Sequence, residues 1–398
     1  MDAPILGQVT LSYCPIIDRQ RNPLATRLTV FPMNPGEELP VAELLEAVAE
    51  VWPADGAQVS LSVRSEGLLV DLLGVKPGSN VMIEVPKFLA CDPMLADSLR
   101  QLARNGNVLL LTGRPDQPLP NDVLGCFRYS IIDLADERRL FDPAPPPTVK
   151  RTLNFMQDGV RTVAEMEGAF RRGAVAVVGW PIDEVVRGQS HKSSATRPDL
   201  AATVDLINQV EEDESLDKLE ATLKRDPTLA YKLMRYINSP IFGLRTEVTS
   251  FTHAVMLLGY QRLKRWLALL LVTASSDPNL RPVMFAAVRR GLLMEALAPT
   301  EAQDSARSEL FICGVFSLLD RMFQEPFAEL LKKIPVPEVV FQALAEETGP
   351  LEPMIRLVRA LEGGSGLEIR EIIDESALQV RQVNKALLHA LGNAIKLV

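Results

Sequence analysis

The stretch Asp226–Leu271 reads DPTLAYKLMRYINSPIFGLRTEVTSFTHAVMLLGYQRLKRWLALLL, and it determines how the second half of the chain folds. Apolar residues recur at helical spacing from Leu229 to Ile241, after a start at Asp226-Pro227 that is typical of a helix N-terminus. A second helix is predicted to end at Gly259. A third, from Tyr260 to Val272, is apolar on nearly all sides, so we expect it to be buried.

This succession of D-P-x-L-A, I-N-S, F-G and S-F-T-H-A-V-x-L-L-G closely resembles the HDOD domain, a bacterial signalling module related to the HD and HD-GYP phosphohydrolases. Hydrolases of that kind need an adjacent His-Asp pair and further His and Asp ligands to hold their metals. The chain has no His-Asp pair, and its three histidines are His191, His253 and His389. The resemblance therefore implies an HDOD domain without metal-dependent hydrolysis.

Length and composition bound the remaining possibilities. A chain of 398 residues with 47% hydrophobic residues predicts two or three folded domains. The net charge of −9 argues against a general nucleic-acid binder, which carries a basic excess. The N-terminus lacks the pattern of a signal peptide, and runs such as Trp266 to Ala274 are too short to span a bilayer. We expect a soluble, cytoplasmic protein that contacts neither nucleic acid nor membrane.

Strand-like and helical patterns alternate over the first 180 or so residues. Alternation of this kind predicts parallel strands, and most economically a β/α barrel. One segment before the last strand, residues 148–157, is predicted to be a helix. The predicted strands are residues 9–17, 24–31, 58–63, 80–85, 107–112, 129–134 and 174–178.

Short motifs along the barrel resemble those of EAL domains, barrel phosphodiesterases that hydrolyse cyclic di-GMP. Tyr13–Ile17 (YCPII) is similar to the opening Y-Q-P-I-V, and Ile83–Val85 (IEV) to the L-E-L strand. Ile131–Asp133 (IID) is similar to the K-I-D strand, and Asp158–Thr162 (DGVRT) to E-G-V-E-T. Their order and spacing cover residues 8–185, which implies a degenerate EAL domain before the HDOD domain.

Departures from the EAL pattern bear on the chemistry. EAL catalysis depends on divalent ions that are held by carboxylates and an amide and that activate water. The position of the signature glutamate is occupied by Arg27, and that of the metal-binding asparagine lies near Ser60. The sequence therefore predicts no metal centre, no cofactor and no enzymatic activity. The positions that correspond to this vestigial site are Arg27, Glu84, Asp133, Asp158 and Arg161.

Two groups of basic residues each allow two interpretations. Arg27 and Arg161 could bind the phosphates of cyclic di-GMP, or they could form ion pairs with Glu84 or Asp133 and fill the vestigial site. Arg262, Lys264 and Arg265 could bind an anionic partner or a nucleotide phosphate, or they could be cations that extend to solvent from a helix. The pairing and solvent-facing readings are the preferred ones, so cyclic di-GMP binding is not favoured.

The predicted organisation is a barrel domain at residues 1–186, a linker at 187–198 and an all-helical HDOD domain at 199–398. The predicted function is that of a non-catalytic bacterial signal-transduction protein that regulates other signalling proteins by protein–protein interaction. A homodimer is compatible with this prediction. The alternative is an effector that binds cyclic di-GMP or another nucleotide without hydrolysing it.

Overall fold

The computed structural model describes residues 3–34, 36, 38–113, 118–137, 152–183, 198–215, 218–219, 221–222, 251–273, 277–299, 301–334 and 336–397. The predicted helix at 226–241, His191 and all but the last residue of the predicted linker lie outside these ranges. The chain forms two compact units. One comprises Met1–Glu184 with Arg356–Val398, and the other Val185–Ile355.

The first unit is built on a closed barrel in which eight strands follow one another in chain order. β1 runs antiparallel to both of its neighbours, β2 and β8, and the pairs from β2 to β8 are parallel. This arrangement confirms the predicted fold class. The strands are β1 Val9–Asp18, β2 Pro23–Pro32, β3 Gln58–Val63, β4 Val81–Pro86, β5 Leu109–Thr112, β6 Phe127–Asp133, β7 Asn154–Val160 and β8 Ala176–Gly179.

Side-chain alternation along the strands fills both layers of the barrel core. Ile16, Ile131 and Met156 belong to one buried cluster, with Met82, Leu110 and Val178. The next residues along two of these strands, Ile17 and Ile132, belong to a second cluster with Met166 and Ala169 of an outer helix. Successive residues of a strand point to opposite faces, so one strand serves both clusters. The helices of this part are α1 Val41–Val51, α2 Glu66–Leu73, α3 Lys87–Ala90, α4 Ala96–Arg104, α5 Asn121–Leu124 and α6 Val163–Arg171.

The segment predicted as a helix at residues 148–157 is corrected by the structure, because Asn154–Val160 forms β7. Phe155, Met156 and Gln157 are all buried, so the strand shows no apolar–polar alternation. A strand that is buried on both faces cannot be distinguished from a buried helix by periodicity alone. Residues 148–151 lie outside the described part of the chain.

The second unit is helical. Its long helix, Phe251–Thr273, is interrupted at Gly259, whose φ of 69° is left-handed, so the predicted boundary between two helices is confirmed. Gly291 and Gly314 let two further helices pack closely, since a Cβ on Gly314 would lie 2.5 Å from the Arg290 carbonyl oxygen. The helices are α7 Pro198–Glu211, α8 Phe251–Thr273, α9 Arg281–Ala296, α10 Asp304–Phe316, α11 Leu319–Phe323, α12 Phe327–Leu330 and α13 Glu338–Phe341, followed by a π-helical turn at Gln342–Glu346.

Three helices end the chain: α14 Glu352–Leu361, α15 Gly366–Glu375 and α16 Val380–Leu397. The residues from Arg356 onward belong to the barrel unit, so the compact units differ from the predicted division at residues 187–198. Arg370 donates to the Met33 carbonyl oxygen at 2.8 Å, and Gly366 packs against Phe31. These contacts join the last helices to β2 and the residues that follow it.

A buried asparagine of α16 completes the edge of β1. β8 pairs with β1 only at Ile16, Ile17 and Asp18, which leaves the first half of β1 without a strand on that side. Asn384, which is fully buried, accepts a hydrogen bond from Leu11 N at 3.1 Å and donates to Val9 O at 2.7 Å. Its amide thus replaces a neighbouring strand, and it also donates to Leu6 O at 2.8 Å.

Among the helices of the described ranges, none combines the length and the apolar run that crossing a membrane requires.

Candidate functional site

The candidate site lies inside the barrel, where neighbouring strands bring their polar side chains together. Arg27 of β2 is paired in register with Cys14 of β1 on one side and with Ser60 of β3 on the other. Glu84 comes from β4, and Asp158 comes from β7 across the barrel. Inward-facing residues of different strands converge in a closed barrel, so residues that are far apart in the sequence become neighbours.

Arg27 joins two carboxylates in the centre of this site. Its Nη2 donates to Glu84 Oε2 at 2.6 Å, and its Nη1 donates to Asp158 Oδ2 at 2.7 Å. The side chains of Arg27 and Glu84 are 8% and 3% exposed, and that of Asp158 is 19% exposed. The cluster is therefore a buried ion-pair network whose most exposed member is Asp158.

Hydroxyl groups and a thiol surround the ion pairs. Ser60 Oγ donates to Glu84 Oε1 at 3.2 Å, and Arg27 Nη2 also contacts Ser62 Oγ at 3.4 Å. Burial alone would lower the pKa of Arg27, but the charges of Glu84 and Asp158 raise that pKa well above its ordinary value. Burial raises the pKa of the Cys14 thiol to about 12, against the opposing effect of Arg27. Arg27 is therefore a permanent cation, and Cys14 a neutral thiol.

The donor set of this cluster does not fit a divalent metal ion. Carboxylates that bind Mg²⁺ or Mn²⁺ must present free oxygen atoms to the ion. Here one guanidinium contacts an oxygen of each carboxylate, and its own charge would repel a metal. Within the described ranges, no group of three or more His, Cys, Asp and Glu side chains is arranged to hold a metal.

Asp133 and Arg161 are near the cluster in the strand order but have other partners. Asp133 is opposite Asp158 in the β6–β7 register, yet its Oδ1 accepts from Ala135 N at 2.8 Å and caps a short turn. Arg161 follows β7, and its Nε donates to Asp183 Oδ2 at 2.6 Å. With a side chain 75% exposed, Arg161 belongs to the rim of the barrel.

The basic residues of α8 do not form one phosphate site. Arg262 is exposed, whereas Lys264 pairs with Glu211 at 2.9 Å. Arg265 donates to Glu295 at 2.6 Å, and its guanidinium lies 4.4 Å from the centre of the Phe311 ring. Two of the three cations are thus engaged by carboxylates of other helices, so the structure disperses the cluster that the sequence suggested.

Sequence reasoning missed Ser62, which contacts Arg27 from the same strand as Ser60. A two-residue period would have identified it, because residues two apart in a strand share a face. Cys14 appears in the sequence only as part of the YCPII motif. Its place beside Arg27 follows from the β1–β2 hairpin register.

Comparison with known proteins supports the interpretation of the second half of the chain. Residues 196–335 match the model of the HDOD domain. YuxH of Bacillus subtilis, an uncharacterized protein, is 23% identical over 295 residues, which cover 72% of this chain and 71% of YuxH. The cyclic di-GMP phosphodiesterase CdgJ of Vibrio cholerae is 23% identical over 173 residues, which cover 44% of this chain and 40% of CdgJ.

Solved structures that are similar to the chain include EAL proteins. BlrP1 of Klebsiella pneumoniae, in a manganese and cyclic di-GMP complex, is 15% identical, with a TM-score of 0.31 over 44% of this chain and 55% of that structure. The FimX EAL domain of Pseudomonas aeruginosa bound to cyclic di-GMP is 13% identical, with a TM-score of 0.29 over 45% of this chain and 92% of that structure.

One expectation from the sequence needs correction. The missing metal ligands led to the prediction that the chain is not an enzyme. That prediction is contradicted by the similarity to CdgJ, a cyclic di-GMP phosphodiesterase that aligns with 44% of the chain. Absence of catalysis is therefore not a property that we assign to this protein.

The two predicted halves are both present. The N-terminal part is the closed eight-stranded barrel, and the helical part contains the family match. The chain therefore combines a closed eight-stranded barrel in its N-terminal part with a helical part in which residues 196–335 match the HDOD domain.

Proposed function

We propose that this protein regulates bacterial signal transduction by binding other proteins, with its barrel serving as a rigid scaffold. The observation that carries the proposal is the buried ion-pair network of Arg27, Glu84 and Asp158. Both terminal nitrogens of the Arg27 guanidinium are bonded to carboxylates of the barrel interior. Recognition is therefore assigned to the outer surface of the protein.

The alternative function, a cyclic di-GMP effector, has less support from the same contacts. To grip a phosphate, Arg27 would have to leave two carboxylates and expose Glu84 as an unpaired buried charge. Breaking a buried pair in this way costs about 3–5 kcal/mol. Arg161 is exposed but paired with Asp183, and a single exposed arginine is a weak basis for a nucleotide site.

Large apolar side chains are exposed beside the carboxyl end of β4. Phe88 in α3 is 57% exposed, and Met94, six residues later, is 85% exposed. Exposed aromatic and methionine side chains are enriched in protein interfaces. This part of the barrel rim is therefore the surface that we assign to partner binding.

Partner capture with matched variants tests this assignment. We expect the tagged full-length protein to retain a partner from its host cells, and the double variant Phe88→Ser/Met94→Ser to lose it. Leu24→Ser is the control, because Leu24 is 48% exposed but lies at the start of β2, at the opposite end of the parallel strands. Size-exclusion chromatography of the same proteins shows whether the partner is a second copy of the chain.

Two results would contradict the proposal. One is a strict monomer that retains no protein under any condition tested. The other is equal capture by the wild type, the double variant and the Leu24 variant, which would mean that contacts are non-specific or lie elsewhere.

A further inference from the structure

We draw no further inference here: the strongest candidate, the cluster of arginine side chains at the β1–β2 turn and the end of α6, carries nothing, because Arg19 and Arg21 are bonded to main-chain carbonyl oxygens and to Glu167 of the barrel itself, and nothing in the structure shows what would cover them.

Discussion

Replacement of Arg27 by methionine is expected to lower the free energy of unfolding by about 3–5 kcal/mol. Methionine keeps the apolar stem but removes the guanidinium that contacts Glu84 and Asp158. Glu84, which is 3% exposed, would then remain as a buried charge whose hydrogen-bond donor among the described residues is the hydroxyl of Ser60. Urea unfolding monitored by circular dichroism measures the change.

Two further variants show whether the loss of stability comes from the unpaired charge of Glu84. Arg27→Met/Glu84→Gln should recover a large part of the lost stability, since a neutral amide tolerates burial better than an unpaired carboxylate. Arg161→Met removes an arginine with a side chain 75% exposed from its pair with Asp183, and we expect a change of at most about 1 kcal/mol. A single Arg27→Met variant as stable as the wild type would show that the network does not stabilise the barrel.

Asn384→Ala is expected to destabilise the barrel unit by about 3 kcal/mol or more. The substitution leaves Leu11 N, Val9 O and Leu6 O without the amide that bonds them. Each buried polar group without a partner costs about 1–3 kcal/mol. Thermal unfolding of the protein measures the loss of stability. Hydrogen exchange at Leu11 N shows whether that loss occurs at the edge of β1.

Asn393→Ala on the same helix is the control, because the hydrogen bonds of the Asn393 amide within the described part of the chain go to the His389 ring, at 3.4–3.5 Å. We also expect Asn384→Asp to be destabilising, since a carboxylate can accept from Leu11 N but would face the carbonyl oxygens of Leu6 and Val9. If Asn384→Asp were as stable as the wild type, the hydrogen bonds that the Asn384 amide donates to Leu6 and Val9 would not matter for stability. That result would contradict the role of Asn384 as a substitute for a neighbouring strand.

The order of the strands was predictable where the sequence itself alternates. β3 reads QVSLSV, with an apolar residue at every second position, and its predicted bounds, residues 58–63, are those of the structure although the strand is buried on both faces. β7 was missed because Phe155, Met156 and Gln157 do not follow one clear alternation. Asn384 could not be identified from the sequence either. It bonds β1 across more than 370 residues, and no local pattern reports a contact of that range.

The candidate site was partly predictable for a similar reason. The EAL resemblance placed Arg27 and Glu84 in one barrel, and the pairing of these two side chains was one of the readings that the sequence left open. In the structure Arg27 does pair with Glu84, and its second partner is Asp158 and not Asp133. For Arg161 neither predicted carboxylate is the partner, since Asp183 lies beyond the strands that the motifs describe. Side-chain partners depend on rotamers and register, which motifs do not specify.

The most direct test of the central claim, that Arg27 is the cation of the barrel site, is a calorimetric titration of the wild-type protein and of Arg27→Glu with Mn²⁺. We expect no saturable binding by the wild type, because its own guanidinium occupies the space between Glu84 and Asp158. Arg27→Glu places a third carboxylate beside these two and is expected to bind Mn²⁺. Tight stoichiometric binding of Mn²⁺ by the wild type that is lost in Glu84→Gln would contradict the claim.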